Sequence, residues 1–250
     1  MTPPFDPPVA LASLSGEANA AWARAGAEYA GAAFLGGIAV DDPTRAAARE
    51  MVDRDREEFL PADPLAFLDR EVAALADVPI RAGVNVRAAG PEALAEAAAV
   101  CADHNAVVEV NAHCRQAEMC ATGCGESLLS DPDRLAAFVA AAAETGATVS
   151  VKLRAEVEGV DLPAVAERAD AAGADLLHVD AMDSESVIEP VARRTDAAVI
   201  ANNGVRDRET VREYVDYGAD AVSVGRPSDD PDVLEAVRAA AVEASREGVA

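Results

Sequence analysis

Lysine is almost missing from this chain: Lys152 is the only one among 21 basic residues. Aromatic residues are scarce at 4%, so a core must be built from Ala, Val and Leu. Cysteine is sparse as well. Cys101, Cys114, Cys120 and Cys124 do not suggest a disulfide framework in a chain of this length. No apolar run approaches membrane-spanning length without interruption. The N-terminus, Met1-Thr2-Pro3-Pro4-Phe5-Asp6, has no basic region followed by an apolar stretch, so the expectation is a soluble, cytoplasmic protein without a membrane partner. Positive charge is short overall, with 45 acidic residues giving a net charge of -24. That balance argues against a broad phosphate-binding face for nucleic acid at low salt. The acids are spread over predicted helices rather than clustered, which fits a salt-adapted, halophilic surface better than a dedicated cation site. A local basic pocket stays compatible with this surface, because high salt screens the repulsion.

What is present is an alternation of short β-like runs with alanine-rich amphipathic stretches. Strands are predicted at 9–14, 31–35, 80–86, 107–111, 148–153, 176–179, 198–201 and 221–224, and the clearest helices at 91–103, 132–145, 162–172, 208–217 and 231–246. Helix starts such as Ser130-Asp131-Pro132 and Asp230-Pro231 punctuate the pattern. Gly146, Gly173 and Gly218 each fall between a helix and a strand, where a left-handed C-cap is wanted. Eight strands with intervening helices predict an α/β fold, a (β/α)8 TIM barrel filling residues 1–250 as a single domain. The stretch 41–76 is longer than one helix needs, and reads as a helical insertion or a lid.

In such a barrel, reacting groups sit at the C-terminal strand ends. Those ends carry Ser13, Asn85, Asn111 with His113 and Cys114, Lys152 with Arg154, His178, Asn202-Asn203-Gly204, and Gly225-Arg226. Lysine is a compact point charge on a flexible stem, so one retained where arginine serves everywhere else points to chemistry. Gly204 and Gly225-Arg226 suit a phosphate site: glycine lets backbone N–H groups approach an anion, a following helix start adds partial positive charge, and arginine chelates oxygens. Cys114, Cys120 and Cys124 with His113 offer ligands for zinc or an iron–sulfur cluster, but their spacing matches none of the common CxxC patterns, and no metal is expected. His104 reads as a helix-end residue and Trp22 as packing.

Val108-Glu109-Val110-Asn111-Ala112-His113-Cys114, then Gly123-Cys124-Gly125-Glu126-Ser127-Leu128-Leu129-Ser130-Asp131-Pro132, then Val151-Lys152-Leu153-Arg154 resembles the core of the tRNA-dihydrouridine synthases, FMN-dependent TIM barrels related to dihydroorotate dehydrogenase. His178, Ile200-Ala201-Asn202-Asn203-Gly204 and Val222-Ser223-Val224-Gly225-Arg226 extend the likeness, and Gly83-Val84-Asn85-Val86 carries it upstream. The resemblance implies FMN across the barrel mouth, its phosphate at Gly204, Gly225 and Arg226 beside Asn202 and Asn203. It implies Lys152 near the flavin N1 and O2, Asn85 at the pyrimidine edge, and His178 at the ribityl or phosphate end. It further implies reduction of a uracil C5=C6 bond, or the reverse oxidation, with Asn111 bonding the substrate ring and Cys114 giving the proton. A free thiol, with a reference pKa of about 8.5, is mostly protonated near neutrality and can act as that acid. NAD(P)H is the implied reductant.

Three departures stand out. His113-Cys114-Arg115 replaces the family's Gly-Cys-Pro, His178 lacks a closely following arginine, and the helical domain that grips tRNA has no counterpart after the last predicted helix. The substrate reading is therefore a uracil ring in tRNA or in a free pyrimidine, the latter as in dihydroorotate or dihydropyrimidine dehydrogenases. A flavin-free phosphate-binding barrel, a lyase or isomerase, is the alternative class, and a non-catalytic relative the third. Composition fixes no oligomeric state.

Overall fold

Short runs of Val, Leu and Ala bounded by turns leave little choice but strands buried on both faces, and these form a closed parallel ring. In the computed structural model, which describes residues 4–247, β1 (Val9–Leu11), β2 (Ala32–Ala39), β3 (Arg81–Arg87), β4 (Val107–Asn111), β5 (Thr148–Arg154), β6 (Leu176–Asp180), β7 (Ala198–Asn202) and β8 (Ala221–Val224) pair in chain order, and β8 closes on β1. Met1 to Pro3, part of the N-terminal stretch considered above, lie outside the described residues. The (β/α)8 barrel is as expected.

Helices α1 (Ala20–Ala25), α2 (Asp42–Val52), α3 (Pro64–Ala73), α4 (Pro91–Asp103), α5 (Ala117–Ala121), α6 (Pro132–Ala143), α7 (Leu162–Ala171), α8 (Ile188–Arg194), α9 (Arg208–Asp216) and α10 (Pro231–Glu247) connect the strands. Asp41, Asp63, Asp131 and Asp161 each accept a hydrogen bond from the backbone N–H three residues on, capping α2, α3, α6 and α7. Such caps contribute about 1 kcal/mol each. Gly146, Gly173 and Gly218 have φ of 83, 108 and 98°, the left-handed turn that ends a helix before the next strand. Residues 41–76 hold α2 and α3, and α2 packs against α5 beside the cysteine loop.

Strands β5, β6 and β7 each run one residue further than predicted, bringing Arg154, Asp180 and Asn202 into the ladder, with Arg154 opposite Asp180 and Asp180 opposite Asn202. Polar residues end a strand only when their side chains have a polar or wet place to go; here all three open onto the barrel mouth. β1 is shorter than predicted and stops at Leu11, so Ala12, Ser13 and Leu14 leave the ladder and line that mouth.

Two faces of the strands divide the chain's residues by type. Val84, Val86, Val108, Val110, Val149, Val151, Leu153, Leu177, Val179, Val199, Val222 and Val224 face the helices in the main core. Each such side chain, fully buried, contributes about 1.5–3 kcal/mol of hydrophobic stabilisation. The inward face is filled at the bottom by Phe5, Ala10, Ala32, Phe34, Val107, Leu176, Ile200 and Ala221. Above that plug the interior turns polar.

Candidate active site

A period of two carries the site. Because alternate residues of a strand share a face, Glu109 and Asn111 on β4, Ser150, Lys152 and Arg154 on β5, and His178 and Asp180 on β6 all point inward. The register sets them side by side: Asn85 opposite Glu109, Glu109 opposite Ser150, Asn111 opposite Lys152, Lys152 opposite His178.

The lower layer is a wholly buried hub. Glu109 accepts hydrogen bonds from Asn85 Nδ2 (2.8 Å), Ser150 Oγ (3.0 Å) and His178 Nδ1 (2.8 Å). Phe34 packs beneath His178 with ring centroids 5.1 Å apart. Burial opposes charge on Glu109, but the His178 ring, Lys152 and the Asn85 amide outweigh it and hold the carboxyl below its ordinary value. Burial and the neighbouring Lys152 push His178 down to about 4, so its ring is neutral near pH 7. The contacts set the tautomer: Nδ1–H donates to Glu109, and the Nε2 lone pair faces upward. Lys152 Nζ donates to that nitrogen at 2.7 Å, and Ser223 Oγ stands at the same distance from it. Burial brings Lys152 down to about 8, opposed by Glu109 and Asp180, and the ammonium form still prevails at pH 7.

The upper layer opens into two contiguous chambers. One, of about 590 Å³, is lined by Asn85, Asn111, Lys152, Asn202, Asn203, Gly204, Gly225 and Arg226 among others. Eight residues predicted from far-apart strand ends thus share one wall. His178 does not: it lies one layer beneath, fully buried, and reaches the chamber only through Lys152 and Ser223. The contact with a cofactor's ribityl or phosphate end expected of His178 would run through those two side chains. After β7, Asp207 caps α9 by accepting the Thr210 N–H. Gly204 has φ 66°, and a Cβ added at Gly225 would stand in open space. Tyr214 on α9 donates to the Asn203 carbonyl at 2.8 Å and steadies this loop. Tyr214→Phe is expected to cost about 1 kcal/mol, read as a melting-temperature drop of about 2–4 °C.

The second chamber, about 440 Å³, adjoins the first through Ser13, Asn85, Asn111, His113, Asp180, Asn203 and Arg226. Arg56, Arg87, Arg115, Arg154 and Arg226 all line it, in a chain whose net charge is -24. Glu58 and Glu126 pair with Arg87 and Arg154, and the other three have no carboxylate within 4 Å among the described residues. Here is the local basic pocket that the acidic composition left room for. Asn111 is largely committed: Nδ2 donates to Asn85 Oδ1 (2.7 Å), and Oδ1 accepts from the backbone N–H of Cys114 (3.0 Å) and His113 (3.3 Å). One N–H of its amide is left for a ligand. His113 Nε2 lies 2.6 Å from Asp180 Oδ2. Burial works against charge on Asp180, yet His113 and Lys152 bring it down to about 2.

Cys114 borders the second chamber but packs with Ala39, Ala47, Ala48, Met51, Met119 and Cys124. Cys120 and Cys124 donate to the carbonyls of Cys114 and Asn111. Burial drives Cys124 and Cys101 up to about 12. Among the described residues no three His, Cys, Asp or Glu side chains converge to hold a metal ion, so the cysteine set does not assemble the zinc or cluster site considered as an alternative.

Glu109, Ser150, Asp180 and Ser223 were missed as site residues by reading strand ends alone. Their signal is alternation: Val-Glu-Val-Asn, Ser-Val-Lys-Leu-Arg and His-Val-Asp place polar groups at every second position of strands otherwise made of Val and Leu.

Comparison with known proteins bears on what this arrangement serves. Residues 70–247 match the sequence model of the family described as dihydrouridine synthase. An uncharacterized protein of Methanocaldococcus jannaschii is 25% identical over 233 residues, 89% of each chain. The catalytic subunit of dihydroorotate dehydrogenase B (NAD(+)) from Methanothermobacter thermautotrophicus is 28% identical over 186 residues, 62% of this chain and 60% of that protein. Among solved structures, morphinone reductase in complex with tetrahydroNAD superimposes with a TM-score of 0.67 at 17% identity, covering 94% of this chain and 87% of that one. A 3-hexulose-6-phosphate synthase reaches 0.55 at 19% identity, covering 93% and 97%. At those identities the structural likeness speaks for the barrel alone.

Proposed function

Since the chain belongs to the dihydrouridine synthase family, we propose that it is an FMN-dependent oxidoreductase that reduces the C5=C6 bond of a uracil-type ring, or oxidises its dihydro form. The observation that carries this reading is Lys152, the chain's one lysine, buried at the wall of a chamber that Gly204, Gly225 and Arg226 also line. The chamber suits FMN. Its volume is within the usual range for cofactor sites, about 300–1,000 Å³, and the space at Gly225 leaves the backbone open to a phosphate.

Bound FMN supplies hydride chemistry; the chain supplies placement, charge and the proton. Gly204, Gly225 and Arg226 would hold the phosphate, with Asn202 and Asn203 beside them, Asn85 the pyrimidine edge, and Lys152 would offset negative charge gathering on the ring as it is reduced. Asn111 orders the His113–Cys114 loop and keeps one N–H for the substrate ring. Two groups on the second chamber's wall can give a proton, the Cys114 thiol and the His113 imidazole. Arg56, Arg115 and Arg226, which have no carboxylate partner among the described residues, suit an anionic substrate, whether the phosphate of a tRNA nucleotide or a free pyrimidine bearing a carboxylate or phosphate. NAD(P)H is the hydride source that would recharge the flavin.

A second reading, a free pyrimidine such as a dihydroorotate-like substrate, draws on the archaeal dihydroorotate dehydrogenase relative and the small arginine-lined chamber. The flavin-free phosphate barrel shares the strand-seven and strand-eight cradle but gives no reason for Asn111 and Lys152 together. Purification in high salt, followed by heat release and identification of the bound small molecule, is expected to yield about one FMN per chain. A colourless protein that also takes up no added FMN would overturn the flavin reading.

A further inference from the structure

Where the resemblance expects Gly-Cys-Pro, this chain has His113-Cys114-Arg115, and the structure gives the substituted histidine a partner. His113 Nε2 sits 2.6 Å from Asp180 Oδ2, while Asp180 Oδ1 accepts the Met182 N–H at 3.2 Å. Asn203 Nδ2 in turn holds the Met182 carbonyl at 3.1 Å, so the carboxylate is fixed from behind. Nδ1 of His113 has no partner among the described residues. The ring borders both chambers, with 35% of its side chain exposed. Cys114 has the opposite character: it is 9% exposed and embedded in an apolar cluster.

We propose that the His113–Asp180 pair, rather than the Cys114 thiol, delivers the proton to the substrate ring. This rests on the flavin reading above. Bound flavin in its reduced form would supply a hydride, and with it both electrons, to one carbon of the double bond. The π pair of that bond takes the proton from His113 Nδ1–H at the other carbon. His113 is left as a neutral imidazole whose Nε2–H stays on Asp180, and it regains its proton from solvent. A nicotinamide-type donor would supply the electrons for the next turnover. His113 is the catalytic residue in this scheme, and Asp180 is a positioning residue that keeps Nδ1 turned to the substrate. Charged groups around the ring are Asp180 and Lys152 from the barrel interior, Arg115 on the same loop, Arg87 on β3, Arg154 on β5, Arg226 after β8, and Arg56 between α2 and α3.

The test uses His113→Gln, Cys114→Ala and Asp180→Asn in the full chain. Flavin content is measured first, and all three variants are expected to match the wild type. A wild type without flavin overturns the underlying reading, whereas the proton-donor assignment stands or falls on the reoxidation rates of flavin-loaded protein. Each protein is reduced with dithionite and reoxidised anaerobically by unmodified tRNA transcript, uridine 5′-monophosphate or orotate. His113→Gln should slow reoxidation about 100-fold or more, and Cys114→Ala by no more than about threefold. Loss with Cys114→Ala and retention with His113→Gln would return the role to the thiol.

A second readout needs no turnover. In protein labelled with ¹⁵N-histidine, resonances are assigned through the His113→Gln, His104→Gln and His178→Gln variants. The His113 Nδ1 signal should shift on adding uracil to the flavin-loaded protein, and Asp180→Asn should scramble the two ring tautomers. A Nδ1 signal indifferent to uracil would overturn the proposal.

Discussion

Lys152→Met is expected to lower turnover by about 10²–10³-fold, the loss usual when one preorganised charge is removed from a site where charge develops, while the protein keeps its fold and its flavin. The structure explains why the two effects separate. Methionine has nearly the length and volume of the lysine stem, and Ser223 Oγ, 2.7 Å from the His178 Nε2 that Lys152 leaves behind, can turn its one hydrogen to that nitrogen from Asn202 Oδ1 at 2.8 Å, a side chain that lines the chamber. Burial holds Lys152 at about 8 against an ordinary 10.5, so the folded protein bears a penalty of about 3 kcal/mol for keeping it charged. The folded state binds fewer protons than the unfolded chain between those two values, so that penalty is present below pH 8 and relieved as pH rises toward 10.5. The variant should therefore melt no lower than the wild type at pH 7. Wild-type turnover should decline as pH rises through about 8, and the variant should show no such limb. A variant that melts early, or one with full activity, would remove the lysine from its assigned place. Lys152→Arg should not rescue, because a planar fork with five donors cannot replace a point charge in a space shaped by Asn111, His178 and Asp180.

The lysine was legible in the sequence by rarity, and the barrel by the rhythm of its strands. Strand β4 and helix α4 have the predicted bounds, because Gly90-Pro91 before α4 and the apolar run Val107 to Val110 leave little freedom. The convergence of Asn85, Asn111, Lys152, Asn202 and Arg226 on one chamber was also legible, since fold class alone sends C-terminal strand ends to one mouth. Depth was harder. Glu109 sits two residues before the strand end, and from sequence a glutamate between two valines reads as an exposed position of an amphipathic strand. Only barrel closure, which turns every second residue inward, makes it the hub. The depth of His178, a layer below the mouth, has the same origin. The Asp180 contact to His113 depends on the loop after β4 folding back across β5 and β6, a long-range arrangement that neither segment encodes locally. The arginine chamber was legible only in part: Arg154 and Arg226 stand at strand ends named from the sequence, whereas Arg56, Arg87 and Arg115 join them only through the fold.

Glu109 is where stability and activity meet, and its removal is expected to damage both. Glu109→Ala leaves the Asn85 amide, the Ser150 hydroxyl and the His178 Nδ1–H without an acceptor in a site closed to water. Breaking a buried charged network by removing one partner costs about 3–5 kcal/mol, which in a chain of this size lowers the melting temperature by about 6–20 °C. Glu109→Gln keeps one oxygen acceptor but turns an NH₂ toward groups that are themselves donors, so a smaller loss of about 1–3 kcal/mol is expected. The glutamine variant should still fold, and it isolates the electrostatic role. Glu109 raises the Lys152 pKa against burial. Without that carboxylate the lysine titrates below 8, and the alkaline decline in turnover should move to lower pH. Turnover at pH 7 should then fall toward that of Lys152→Met. If the carboxylate acts on the reaction through the lysine, adding Glu109→Gln to Lys152→Met should cost little further turnover while still lowering the melting temperature. Fully additive losses in turnover would mean that Glu109 reaches the reaction by a route other than His178 and Lys152.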